Sequence, residues 1–134
     1  MLNLTFGWIW ITMGFATGAL LGMGFHKETF MGGYNSWARR LTRLGHIAFF
    51  GTGFLNVMVA LTATMLDHET THTGIWWIMS WAFIVGAIAM PFCCFIAAKW
   101  KRAKSIFALP VLALTLGGVM LSIITLRAYL QGAV

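Results

Sequence analysis

The segment SWARRLTRLGHIAFFGTGFLN, residues 36–56, decides the fold of this chain. It opens with three arginines in a short amphipathic run, continues without a break into an apolar stretch, and carries a histidine and an asparagine into it. At helical spacing one stripe of this segment and its continuation contains Arg39, Arg43, His46, Phe50, Gly53, Val57 and Ala60, with Asn56 at its edge. Polar and ionisable groups are costly inside a bilayer, so they normally face protein or a cofactor. The pattern predicts a membrane helix around which the other helices pack.

Composition extends this interpretation to the whole chain. Of its 134 residues, 60% are hydrophobic and only 9% are charged, which is far outside the range of soluble domains. The apolar residues form four segments, each near the roughly 20 residues that cross a hydrocarbon core about 30 Å thick. We therefore predict an all-α integral membrane protein, residues 1–134 forming one domain with four transmembrane helices. The predicted helices are residues 4–25, 37–66, 75–98 and 106–130.

The positions of the basic residues predict the orientation of these helices. Eight of the nine Lys and Arg residues lie in or beside the first and third connections: Lys27, Arg39, Arg40, Arg43, Lys99, Lys101, Arg102 and Lys104. The second connection, DHETTHTG, contains none. Because short cytoplasmic loops carry the excess of Lys and Arg, we expect an antiparallel up-down bundle with both termini outside. The net charge of +6 then indicates contact with anionic lipid headgroups and argues against nucleic acid as a partner.

Glycines mark the expected helix-packing surfaces. Gly14, Gly18 and Gly22 form a GxxxGxxxG ladder in the first helix, and Gly53 lies in the second. Small residues four apart let another backbone approach closely, which is how membrane helices associate. We expect these four glycines to pack against other helices, with the first two helices docked on a partner protein.

Two histidines form the first candidate site. His26 ends the first predicted helix and His46 lies near the start of the second, so antiparallel neighbours would place both at a similar depth. Two imidazoles at one level are the arrangement that axial ligation of a b-type haem, or another tetrapyrrole, requires. Arg39 and Arg43 would be available for the propionates. The alternative is that both histidines are interfacial residues bonded to headgroups or loop backbone.

A second candidate lies in the outer connection, where His68, Glu69 and His72 match HExxH. In metalloproteases this spacing places two zinc-binding imidazoles one helical turn apart, with the glutamate as general base. Here the motif occupies a short loop with no third ligand and no substrate-binding domain, so we interpret it as a chance match and expect no enzymatic activity. The remaining alternatives are a solvated loop and an outer copper or zinc site of His68 and His72.

Asn56 is the third candidate, since it lies near the predicted bilayer midplane. An interhelical hydrogen bond would satisfy its amide, with Thr12, Thr115 and Ser122 as possible partners. The alternative, more specific interpretation is that the Asn56 amide contacts the carbonyl of a quinone or pigment.

Together these features predict a small accessory or anchor subunit of a larger membrane complex, with a respiratory or photosynthetic electron-transfer assembly as the favoured class. Its partners would be other integral membrane subunits and lipids, and its location the inner membrane of a bacterial-type cell. Two other functions compete: a b-haem cytochrome using His26 and His46, and an outer-face metal-binding protein using His68 and His72.

Overall fold

The computed structural model describes residues 1–66, 71 and 73–131. These residues form four long helices: α1 Leu2–Phe25, α2 Trp37–Met65, α3 Gly74–Lys99 and α4 Ala108–Leu130. Short 3-10 helices at Phe30–Gly32 and Ala103–Phe107 belong to the first and third connections, and the described residues contain no strand. All four long helices are long and apolar enough to cross a membrane. The prediction of an all-helical, multi-pass membrane protein is therefore confirmed.

Two of the helices begin at hydroxyl caps. The Ser36 side chain accepts a hydrogen bond from the Arg39 backbone N–H at 3.1 Å, and Thr73 accepts one from the Trp76 N–H at 3.2 Å. Such oxygens satisfy an N–H group that the first turn of a helix leaves without a partner. The chain reaches Ser36 through a tight turn with positive φ at Met31, Gly32 and Gly33.

Helices α1 and α2 meet most closely where glycine faces glycine. A Cβ atom on Gly7 would lie 2.8 Å from the Gly53 carbonyl oxygen, and one on Gly53 would lie 2.8 Å from Ile11 Cγ1. Further along α1, Gly14 faces the Phe50 ring and Gly18 faces the His46 imidazole. Gly14, Gly18 and Gly53 therefore lie at the contact between α1 and α2. We had expected the glycine ladder of α1 to face a partner protein.

Gly22 does not lie at this contact, because no atom from any other part of the chain that the structure describes comes within 4 Å of where its Cβ would be. The reason is helical geometry: four residues turn the chain through about 400°, so each step of GxxxG moves about 40° around α1. Two steps take Gly22 about 80° away from Gly14. A seven-residue step drifts only about 20°, and the buried positions Gly7 and Gly14 follow that spacing.

The remaining contacts join the helices in chain order. On the side of α2 that faces α3, a Cβ on Gly45 would meet Cys94 Cβ at 3.0 Å, and the Trp37 indole N–H donates to the Ala97 carbonyl at 2.9 Å. Between α3 and α4, Gly86 faces Leu114 and Gly117 faces Phe83. Two buried apolar clusters lie between the helices: Val59, Trp76, Met79 and Phe83 in one, Trp10, Phe49 and Ala87 in the other.

Helix α4 is the most exposed of the four. Its buried residues are Pro110, Gly117 and Ala128, whereas large apolar side chains along the rest of its length, such as Leu112 and Leu116, are exposed. A helix that is apolar on its open side must be covered by lipid or by protein.

Candidate functional site

His46 lies half-buried between α1 and α2. Its Nδ1 atom is 3.2 Å from the Thr17 hydroxyl oxygen, and that hydroxyl also donates to the Gly14 carbonyl at 2.9 Å. Because a hydroxyl has a single hydrogen, we assign the proton of the 3.2 Å contact to His46 Nδ1. In the neutral form of the imidazole this assignment leaves the lone pair on Nε2, which has no hydrogen-bonding partner among the described residues.

Aromatic rings pack beside this imidazole. The Phe50 ring is edge-on to His46, with 5.3 Å between the ring centroids, and Phe15 packs on Phe50 at 5.0 Å. The absence of a side chain on Gly18 is what admits the imidazole, since a Cβ there would lie 2.7 Å from His46 Cε1. The site thus offers one nitrogen acceptor in apolar surroundings.

His26 is not part of this site. It directly follows α1 and is exposed, whereas His46 contacts α1 at Thr17 and Gly18. The eight residues from Gly18 to His26 correspond to about 12 Å of helix rise. Two ligands of one haem iron must face each other at the same depth, so the arrangement does not fit a haem held between His26 and His46. Our expectation that they lie at one level was wrong, because His46 contacts α1 about two turns before α1 ends, whereas His26 follows that end.

Arg39 stabilises the end of α1 from the neighbouring helix. Its side chain is only 6% exposed, and its Nη atoms donate to the carbonyl oxygens of Glu28 at 3.3 Å and Phe25 at 3.5 Å. The guanidinium also lies 4.4 Å from the centroid of the Phe25 ring. A cation at a helix C-terminus satisfies free carbonyl groups and the negative end of the helix dipole. These two bonds hold the first connection and use two of the five guanidinium N–H donors, whereas the buried Nε–H has no partner among the described residues.

Arg43 packs against the same connection from further along α2. Its guanidinium lies 4.5 Å from the centroid of the Tyr34 ring, and its side chain makes no hydrogen bond or ion pair with another described residue. Its nitrogen–hydrogen donors are therefore available to an anion.

Asn56 is the centre of a buried polar cluster. The amide is 0% exposed; its oxygen accepts from Asn3 Nδ2 at 2.9 Å, and its nitrogen donates to the carbonyls of Thr52 at 2.9 Å and Phe83 at 3.4 Å. Asn3 Nδ2 also donates to the Ser80 carbonyl at 3.2 Å. This network connects α1, α2 and α3 through two side-chain amides.

The partners expected for Asn56 were wrong. The hydroxyls of Thr12 and Ser122 instead donate to carbonyls of their own helices, those of Trp8 and Gly118. Asn3 was missed because the first helix was predicted to start at residue 4, whereas α1 starts at Leu2. The signal was present in the sequence: Asn3, Gly7, Gly14 and Leu21 fall on one face of a helix.

The candidate metal site of the outer connection, His68 and His72, and the intervening Glu69 lie outside the described residues. Among the residues that are described, no group of three His, Cys, Asp or Glu side chains is placed to hold a metal ion.

Comparison with protein-family models, with curated proteins and with solved structures finds no match for this chain.

Proposed function

We propose that this chain is an accessory or anchor subunit of a larger integral membrane complex, with an electron-transfer assembly as the favoured class. In this proposal it lies in the cytoplasmic membrane of a bacterial-type cell, its helices run antiparallel, and both termini are outside.

The contacts between helices support the antiparallel arrangement. Successive positions along α1, namely Gly7, Gly14 and Gly18, contact successively earlier positions of α2, from Gly53 back to His46. The start of α2 also contacts the end of α3, through the hydrogen bond from Trp37 to Ala97. In this arrangement both basic connections would lie at one end of the protein, the end for which the positive-inside rule favours the cytoplasm.

The open face of α4 is the single observation that carries the subunit function. Each pair of consecutive helices has a glycine at its contact: Gly7 and Gly53, Gly45, and Gly86 and Gly117. Gly118 offers the same small size on the outward side of α4, where no atom of another described segment lies within 4 Å of its Cβ position.

Two further small residues continue this face. Thr115, Gly118 and Ser122 line a shallow depression of about 450 Å³ together with Val119, Ile123 and Leu126. The Ser122 hydroxyl already donates to the Gly118 carbonyl at 2.9 Å, so an approaching helix need not supply a partner for it. In a membrane, such a face lets a second helix come close enough to pack.

His46 favours an electron-transfer assembly among the possible complexes. An imidazole with a free Nε2, half-buried in apolar surroundings, is suited to contact a cofactor that a neighbouring subunit carries.

A native gel of mildly solubilised membranes tests the proposal. The protein, tagged and expressed at its native level, should migrate in an assembly well above its own 14.8 kDa. Gly118→Leu should release it, because the larger side chain fills the depression. Ala108→Leu places the same leucine side chain at an exposed α4 position outside the depression and should leave the assembly intact. Migration of the unaltered protein as a lone chain would refute the proposal.

A further inference from the structure

The basic end of the protein contains a groove that combines charge with apolar length. Six residues at the start of α2 line this space of about 430 Å³, which we name the α2 groove: Trp37, Arg40, Leu41, Arg43, Leu44 and Ile47. Arg40 and Arg43 are three residues apart and therefore neighbours on the helix surface. Leu44 and Ile47 continue the same face away from the connection, and both are about half exposed.

A third cation lies beside this groove, on a fixed indole. The Trp37 N–H is already used in the bond to the Ala97 carbonyl, so the ring is held against α3. Lys104, from the 3-10 helix that precedes α4, places its ammonium 5.4 Å from the centroid of the Trp37 ring. An element distant in sequence thus adds a third positive charge beside Trp37, one of the residues that line the groove.

These charges are not neutralised within the described part of the chain. Glu28 carries the one carboxylate side chain there, and none of Arg40, Arg43 and Lys104 forms an ion pair with it. A cluster of cations without counter-charges at the membrane–water boundary attracts anions. Leu41, Leu44 and Ile47 extend the groove as an apolar surface beyond these charges. This apolar part distinguishes the groove from a diffuse basic surface.

We infer that the α2 groove binds one anionic phospholipid of the cytoplasmic leaflet. The phosphate accepts hydrogen bonds from the Arg40 and Arg43 guanidinium groups, with Lys104 adding charge from the side. One acyl chain lies along Leu41, Leu44 and Ile47. A soluble anion would use the arginines but would leave the apolar part of the groove empty, so the shape and the charge together select a lipid.

Native mass spectrometry of the purified full-length protein tests this inference, with phosphatidylglycerol and phosphatidylcholine as probes. We expect one phosphatidylglycerol to be retained in preference to phosphatidylcholine. In Arg40→Gln/Arg43→Gln the apparent affinity for phosphatidylglycerol should fall about 30-fold, since each basic residue near a lipid surface contributes about 1 kcal/mol and 1.4 kcal/mol is tenfold. Glutamine keeps most of the side-chain length, and circular dichroism checks that the variant is still helical.

The matched control is Lys101→Gln/Arg102→Gln, which removes two charges from the third connection outside the α2 groove. It should change the affinity by less than about threefold, because neither side chain lines the groove. An equal loss in both double variants would overturn the inference in favour of diffuse surface charge. Displacement of the lipid by millimolar glycerophosphate would identify a soluble anion as the ligand instead. No preference for phosphatidylglycerol would also overturn it, and would leave a protein segment as the occupant of the groove.

Discussion

The close approach of α1 and α2 can be tested with two glycines on one helix. Gly53→Ala places a methyl group 2.8 Å from Ile11 Cγ1, 3.2 Å from the Gly7 carbonyl oxygen and 3.3 Å from the Ile11 backbone nitrogen. Two of these three atoms belong to the α1 backbone, so α1 itself must move by a few tenths of an ångström. Gly51→Ala is the matched control, because among the described residues no atom of another segment lies within 4 Å of its Cβ position.

The expected magnitudes follow from two opposing terms. Replacing glycine with alanine within a helix is favourable by up to about 1 kcal/mol, and both variants share this gain. Only Gly53→Ala also carries the cost of overpacking, about 1–3 kcal/mol. We therefore expect the free energy of unfolding of Gly53→Ala to lie about 1–3 kcal/mol below that of Gly51→Ala.

Reversible unfolding by titration with SDS, followed by circular dichroism, measures this difference. The comparison between the two variants removes the shared helix-propensity term, which a comparison with the unaltered protein would retain. Equal free energies of unfolding for the two variants would mean that α1 does not approach α2 at Gly53, and the packing described here would be wrong.

Three further predictions concern individual hydrogen bonds. Asn56→Leu removes the hydrogen bonds from α2 to α1 and α3. At about 0.6 kcal/mol or more for each interhelical bond, the free energy of unfolding should fall by about 1–2 kcal/mol in the same titration. An unchanged unfolding midpoint would contradict the Asn56 cluster. Trp37→Phe keeps an aromatic ring but removes the hydrogen bond to the Ala97 carbonyl, and should lower the free energy of unfolding by about 0.6–1.7 kcal/mol. An unchanged free energy of unfolding would show that the indole N–H bonds elsewhere. Nitrogen-15 NMR should find neutral His46 protonated at Nδ1, and Thr17→Val should weaken that preference; a dominant Nε2–H form in the unaltered protein would contradict the assignment.

The helices could be predicted closely from the sequence, because apolar length is a strong signal in a membrane protein. The predicted second helix, residues 37–66, differs from α2, Trp37–Met65, by one residue at its end. Its start is set by Ser36, a residue type that caps helices for a local reason that needs no knowledge of the tertiary fold.

The side-chain partners could not be predicted in the same way, because they depend on how far one helix is shifted along the next. Asn56 bonds to Asn3, 53 positions earlier, and no local pattern fixes which α1 residue reaches that depth. The same uncertainty produced the incorrect pairing of His26 with His46. Gly22 is a different case: the 40° drift of each four-residue step, applied to the ladder, would have separated it from Gly14 on the sequence alone.

The central claim is that the chain crosses the membrane four times with its basic connections in the cytoplasm. Single cysteines at Asn35, Gly74 and Lys101, in a background with Cys93 and Cys94 replaced by alanine, test it through labelling of intact cells with a membrane-impermeant maleimide. Gly74→Cys should react from outside, whereas Asn35→Cys and Lys101→Cys should react only after the cells are permeabilised. Labelling of Asn35→Cys and Gly74→Cys from the same side would contradict a crossing by α2, and the reverse pattern would contradict the orientation.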